Sequence, residues 1–166
     1  CEFSKKINFS KKNIRFNKKL GGGCLNDLGY YGISVINAIL PSAKIKKFQL
    51  INKEIKKKIL TRAHFKLLLQ NNIEAEIKSS FLNDNDYIKI HYDNKSIFYK
   101  NCFTFNKFKE IKFIRQKKIT KFKLSISQDR YMDQIKNFSN NKIYSIKEMK
   151  NNIDLLEKIT DYINQS

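Results

Sequence analysis

The spacing of apolar residues changes three times along the chain, and each change marks a different kind of element. Over residues 1–20, Phe3, Ile7, Phe9, Ile14 and Phe16 are scattered among lysines, a pattern that predicts a basic arm or an edge strand. All five glycines (Gly21, Gly22, Gly23, Gly29, Gly32) then fall within twelve residues. Behind the first three runs CLNDLGYYGISVINAIL, with Leu25, Leu28, Ile33, Ile36 and Leu40 near a helical period. Pro41 closes that run, because the residue before a proline is pushed out of the helical region. The span 21–40 therefore reads as a glycine turn opening into a helix.

Over 43–126 the period drops to two. Ala63/Phe65/Leu67, Ile73/Ala75/Ile77, Tyr87/Ile88/Ile90/Tyr92 and Ile97/Phe98/Tyr99 read as strands, separated by turn residues at Asn71-Asn72, Asn83-Asp84-Asn85-Asp86 and Asp93-Asn94. Such short connections favour antiparallel hairpins over parallel crossovers. The alternation sets Arg62, His64, Lys66, Glu74, Glu76 and Lys78 on one face, which must meet water or a partner. Over 128–164 the helical period returns. Tyr131, Ile135 and Phe138 mark a short helix; Ile146, Met149, Ile153, Leu156, Ile159 and Ile163 mark a longer one, with Ser145 and Glu148 as a capping box. The expectation is one domain over 1–166 of α+β class: an open, mainly antiparallel β-sheet with helices packed on one face.

Composition supports a folded domain: 41% hydrophobic and 13% aromatic residues in 166 are globular values. The formal charge of +19, from 34 Lys+Arg against 15 Asp+Glu, invites a nucleic-acid reading. Two features argue against it. Only four of the cations are arginine, the residue suited to bidentate phosphate and base contacts, and the lysines spread from Lys5 to Lys158. The accompanying wealth of Asn, Ile and Phe is what A/T-rich codons would produce. No specific nucleic-acid partner is expected. Cys1, Cys24 and Cys102 are odd in number and lack paired spacing, and with His64 and His91 they make no zinc set, so reduced thiols and a cytoplasmic location are expected and no metal. No apolar run is long enough to span a bilayer.

The chemistry candidates narrow quickly. Gly21 to Gly23 is not a dinucleotide fingerprint, since Asn26 stands where a third glycine would fall and no Lys-Ser/Thr follows. Asp84 and Asp86 read as a turn. Asp27 and Tyr31 are four apart on the expected helix, so an acid and a phenol share one face, entered through three glycines that permit close approach. The plainer alternative is that Tyr31 packs and Asp27 caps the helix. A basic RNA/DNA-binding or protein-interaction module without catalysis also stays open.

The stretch Arg15-FNKKL-Gly21-Gly22-Gly23-CLN-Asp27-L-Gly29-Y-Tyr31 resembles the hallmark of the Gfo/Idh/MocA oxidoreductases, an arginine, five residues, GGG and then D-x-G-x-Y/H. The resemblance implies the C-terminal substrate and oligomerisation domain of an enzyme that transfers hydride between NAD(P) and a sugar, polyol or related diol. It implies Tyr31 as the proton-transferring residue, Asp27 as the acid that holds the substrate hydroxyl, and Arg15, Gly22 and Gly23 at the substrate. The dinucleotide (NAD or NADP) would be bound mainly by an N-terminal Rossmann domain missing from this sequence, which is thus expected to be a fragment of a longer enzyme, inactive alone. Self-association through the open sheet face is the implied assembly.

Overall fold

In a computed structural model, residues 1–41, 44–104, 108–116, 118–125 and 146–165 are described. The fold is α+β, with an open, mainly antiparallel sheet, and the chain divides into two compact units.

The first unit comprises Cys1–Asp86 and Lys150–Ser166. Its strands are β1 (Glu2–Ser4), β2 (Ile45–Lys56), β3 (Ile59–Leu69) and β4 (Glu74–Ser80), in the order β2-β3-β4-β1. β3 and β4 form an expected antiparallel hairpin, and β2, which the sequence did not single out as a strand, pairs antiparallel with β3. β1 departs from a simple meander: Phe3 is in register with Ser79, and the pairing with β4 is parallel. Residues 1–20 are accordingly more than a loose arm, since Glu2 and Ser4 are buried. The hairpin between β2 and β3 turns on Lys57 and Lys58, both left-handed (φ 51° and 65°), a conformation usually given to Asn or Gly. The Lys57 ammonium lies 3.6 Å from the centre of the Phe9 ring.

In β3 burial alternates strictly from Ile59 to Leu69. Ala63, Phe65, Leu67 and Leu69 form one core with Ile77 of β4, with Ile33 and Ile36 of α1 (Tyr30–Ile39), and with Leu155, Ile159 and Ile163 of α2 (Ile146–Gln165). Phe48 stacks between Phe65 and Tyr162, at 5.6 and 5.0 Å. The buried face of α2 is rotated from the expected stripe: Met149 and Ile153 are exposed, while Asn152 is buried. Asn152 is satisfied by α1. Its Oδ1 accepts from Asn37 Nδ2 at 2.5 Å, and its Nδ2 donates to Ser34 Oγ at 3.3 Å and Tyr30 OH at 3.5 Å. A polar group in the core is tolerated when it is so paired.

The opposite face of β3 and β4 carries the expected polar residues. His64 Nε2 stands 2.6 Å from Glu76 Oε1, and Lys78 Nζ stands 3.2 Å from the same oxygen. Desolvation raises the Glu76 pKa, but the hydrogen bonds from His64 and Lys78 together outweigh it and leave the carboxyl below its ordinary value.

The second unit is Tyr87–Met149; it takes β5 (Asn85–Tyr92) from Tyr87 onward, with β6 (Lys95–Lys100), β7 (Phe108–Arg115) and β8 (Lys118–Ser125), paired antiparallel in sequence order. β5 turns into β6 at Asp93-Asn94 as the sequence indicates. The expected helix at Tyr131, Ile135 and Phe138, and Ser145 of the capping box, lie outside the described residues. No described helix is long and apolar enough to cross a membrane.

Candidate functional site at the glycine turn

Two asparagines begin the site. Asn13 Oδ1 accepts from Arg15 N, and Asn17 Oδ1 accepts from Lys19 N, each at 3.0 Å, which winds Ile14–Phe16 and Lys18–Leu20 into consecutive 3-10 turns. Gly21 (φ 74°) ends the second turn in the left-handed region. The glycines then fold back on the chain. Gly21 N donates to Lys18 O, Gly22 N to Asn17 O and Gly23 N to Arg15 O, at 3.2, 2.9 and 3.0 Å. A side chain at Gly22 would sit 2.7 Å from Arg15 O and 2.8 Å from Asn17 O, so glycine is required there for packing. Asn26 Nδ2 reaches back to Gly21 O at 2.8 Å.

Behind this turn the helix starts irregularly. Leu25–Gly29 is a π-helical turn that passes directly into α1. With i→i+5 bonding such a turn holds an extra residue, so the four-residue step from Asp27 to Tyr31 falls short of the full turn expected of an α-helix. Packing anchors the irregular stretch: Leu25 and Leu28 are buried, and Gly29 lies against Leu25 and Ser79. Cys24 is fully buried beside Ser79 Oγ, and burial pushes its thiol up to about 12, which makes it inert as a nucleophile.

Arg15 Nε donates to Asp27 Oδ2 at 2.6 Å. This ion pair, which joins the arginine of the motif to its acid, lines an open cleft of about 160 Å³ with the three glycines, Ile14, Leu20 and Asn26. Arg15, Gly22, Gly23 and Asp27 are thereby brought together. Tyr31 is not among the lining residues. It is 44% exposed on α1, its ring edge-on to Phe3 at 5.1 Å and 85°. Asp27 shows no capping role: the helix start at Cys24 has no side-chain cap, and the Asp27 carboxylate faces Arg15. Ile14, Leu20 and Asn26 were not anticipated from the sequence. Asn26 had a signal, as the polar residue where a phosphate loop would place glycine.

The three glycine amides are taken by this chain's own carbonyls, so the run does not fit the pyrophosphate of a dinucleotide, which needs free N–H groups. Among the described residues no three His, Cys, Asp or Glu side chains gather as for a metal ion. His64 is bound to Glu76, and His91 Nδ1 lies 2.8 Å from Ser96 Oγ on an exposed strand.

No family model matches this sequence, and no curated protein does. Solved structures do share the fold. The aldose-aldose oxidoreductase from Caulobacter crescentus, complexed with glycerol, superposes with a TM-score of 0.80 at 13% identity, over 99% of this chain and 52% of that one. KijD10, a 3-ketoreductase from Actinomadura kijaniata in complex with NADP and TDP-benzene, gives 0.73 at 14% identity, over 93% and 49%. An oxidoreductase structure from Erwinia carotovora atroseptica gives 0.69 at 14% identity, over 93% and 52%. These are oxidoreductases of the Gfo/Idh/MocA type, so the resemblance carried by the motif is matched by a likeness of fold. The chain spans about half the length of each.

Proposed function

We propose that this chain is the substrate-binding and catalytic half of an NAD(P)-dependent oxidoreductase acting on a sugar, polyol or related diol. The observation that carries the reading is the Arg15–Asp27 ion pair set against the glycine turn in an open cleft. At about 160 Å³ the cleft is smaller than the roughly 300–1,000 Å³ of a complete small-molecule site, as suits one half of a shared site.

Within it, Asp27 Oδ2 is engaged by Arg15 and Oδ1 is left to accept a substrate hydroxyl, which fixes the alcohol's orientation. Tyr31, at the exposed surface of α1, takes the proton as the alcohol becomes a carbonyl. The hydride acceptor, NAD or NADP, belongs to a domain outside this sequence. The polar face of β3 and β4 is the proposed surface for self-association.

The test is Tyr31→Phe in an enzyme assembled from this chain and its dinucleotide-binding domain. Loss of a positioned acid–base group lowers kcat by about 10²–10⁴ while cofactor affinity and melting temperature stay put. Full activity with a lowered melting temperature would make Tyr31 a packing residue.

A further inference from the structure

The cleft holds one acid and one arginine, and the turn beside it carries two further cations. Between Glu2 and Asp27 there are seven cationic residues and no acidic one. Lys5 is paired with Asp84, at 3.3 Å, and Arg15 with Asp27. Lys18 and Lys19 are exposed and make no ion pair among the described residues. They sit on the 3-10 turn Lys18–Leu20, which supplies Leu20 to the cleft wall and is pinned to the glycines by the Gly21 and Gly22 amides. The one hydrogen bond of the Arg15 side chain among the described residues is from Nε to Asp27, which leaves its Nη edge without one. Asp27 and Arg15 thus line the cleft as a pair, and Lys18 and Lys19 stand on the adjoining turn with no acid of their own.

We infer that the substrate of this cleft carries an anionic group, as a phosphorylated or carboxylated sugar does, met by the Nη edge of Arg15 and by Lys18 and Lys19. The inference rests on the substrate-binding reading above and narrows it. A guanidinium edge matches the paired oxygens of phosphate or carboxylate. The lysines add attraction that acts within the roughly 8 Å screening length of physiological salt. Asp27 keeps its place at a hydroxyl, and its own charge keeps the anionic group on the Arg15 side.

Calorimetric titration of the full chain at about 0.15 M salt, with D-glucose, D-glucose 6-phosphate, D-glucuronate and inorganic phosphate, tests this. At least one anionic sugar should bind about tenfold more tightly than glucose, and the phosphate and carboxylate arms show which group is preferred. In Lys18→Gln/Lys19→Gln, two exposed changes that leave the fold intact, that advantage should shrink to about twofold. It should persist in Lys121→Gln/Lys123→Gln, placed on β8 of the other unit. Equal loss in both double variants would reduce the effect to diffuse attraction and overturn the inference. Glucose binding as tightly as both anionic sugars, with all three lost in Asp27→Asn, would overturn the inference and leave the substrate-binding reading standing. No binding of any sugar would overturn both.

Discussion

The two units are both built from antiparallel strands and bury them differently. In β3 every second residue disappears into a core shared with α1 and α2. In β8 Ile119, Phe122 and Leu124 are all exposed, and the one buried described side chain of that unit is Lys109, whose ammonium donates to Cys102 O at 2.6 Å. Alternation announces a strand; what covers the strand decides how firmly it is held. The candidate site sits on the firmly held unit: Gly23 rests on Leu60, Gly29 on Ser79 and Gly32 on Ile77, so β3 and β4 back the glycine turn and the π turn. A site needs such support if its groups are to stay in place.

The sharpest way to break the contrast is to cut one aromatic from each unit. Phe65→Ala should cost about 3–5 kcal/mol, measured by denaturant unfolding, because it opens a cavity in a fully buried core. Phe113→Ala, on half-buried β7, should cost clearly less; equal losses would erase the distinction. Next comes Asn152→Ala, which strands Asn37 and Ser34 partners between the helices and should cost about 1–3 kcal/mol by the same measurement. The smallest effect belongs to the polar sheet face. Since the folded Glu76 carboxyl titrates below its ordinary value, its stabilisation is present above the unfolded pKa of about 4.3 and is lost as pH falls through the folded value. Glu76→Gln should therefore lower the melting temperature slightly at pH 7 and not at pH 2; a pH-independent difference would show that the ion cluster contributes nothing.

The regular parts of this fold were legible because one period ran through them: β3 by its strict alternation, α1 by its stripe and its stop at Pro41. β2 was not resolved as a strand because its pairing with β3 shifts register between Ile45 and Lys47, Leu50 and Asn52, and Glu54 and Ile55, and each shift resets the phase. The turn at Lys57-Lys58 was hidden by its chemistry, and the parallel pairing of β1 with β4 leaves no local mark in either segment. In the site, the spacing from Arg15 through the glycines to Asp27 was readable as a motif. The ion pair that joins its ends was not, because it depends on three amides folding back on Lys18, Asn17 and Arg15. The π turn was equally silent, since it comes from the packing of Leu25, Leu28 and Gly29 on the sheet.

The central claim is that the glycine turn, with Arg15 and Asp27, binds a polyhydroxylated substrate. Amide-resolved NMR of the labelled chain, titrated with D-glucose and its 6-phosphate, tests it most directly. The account predicts saturable shifts at Gly21, Gly22, Gly23 and Asp27, none along β6 to β8, and their loss in Asp27→Asn. Shifts centred on the second unit, or unchanged in Asp27→Asn, would contradict it.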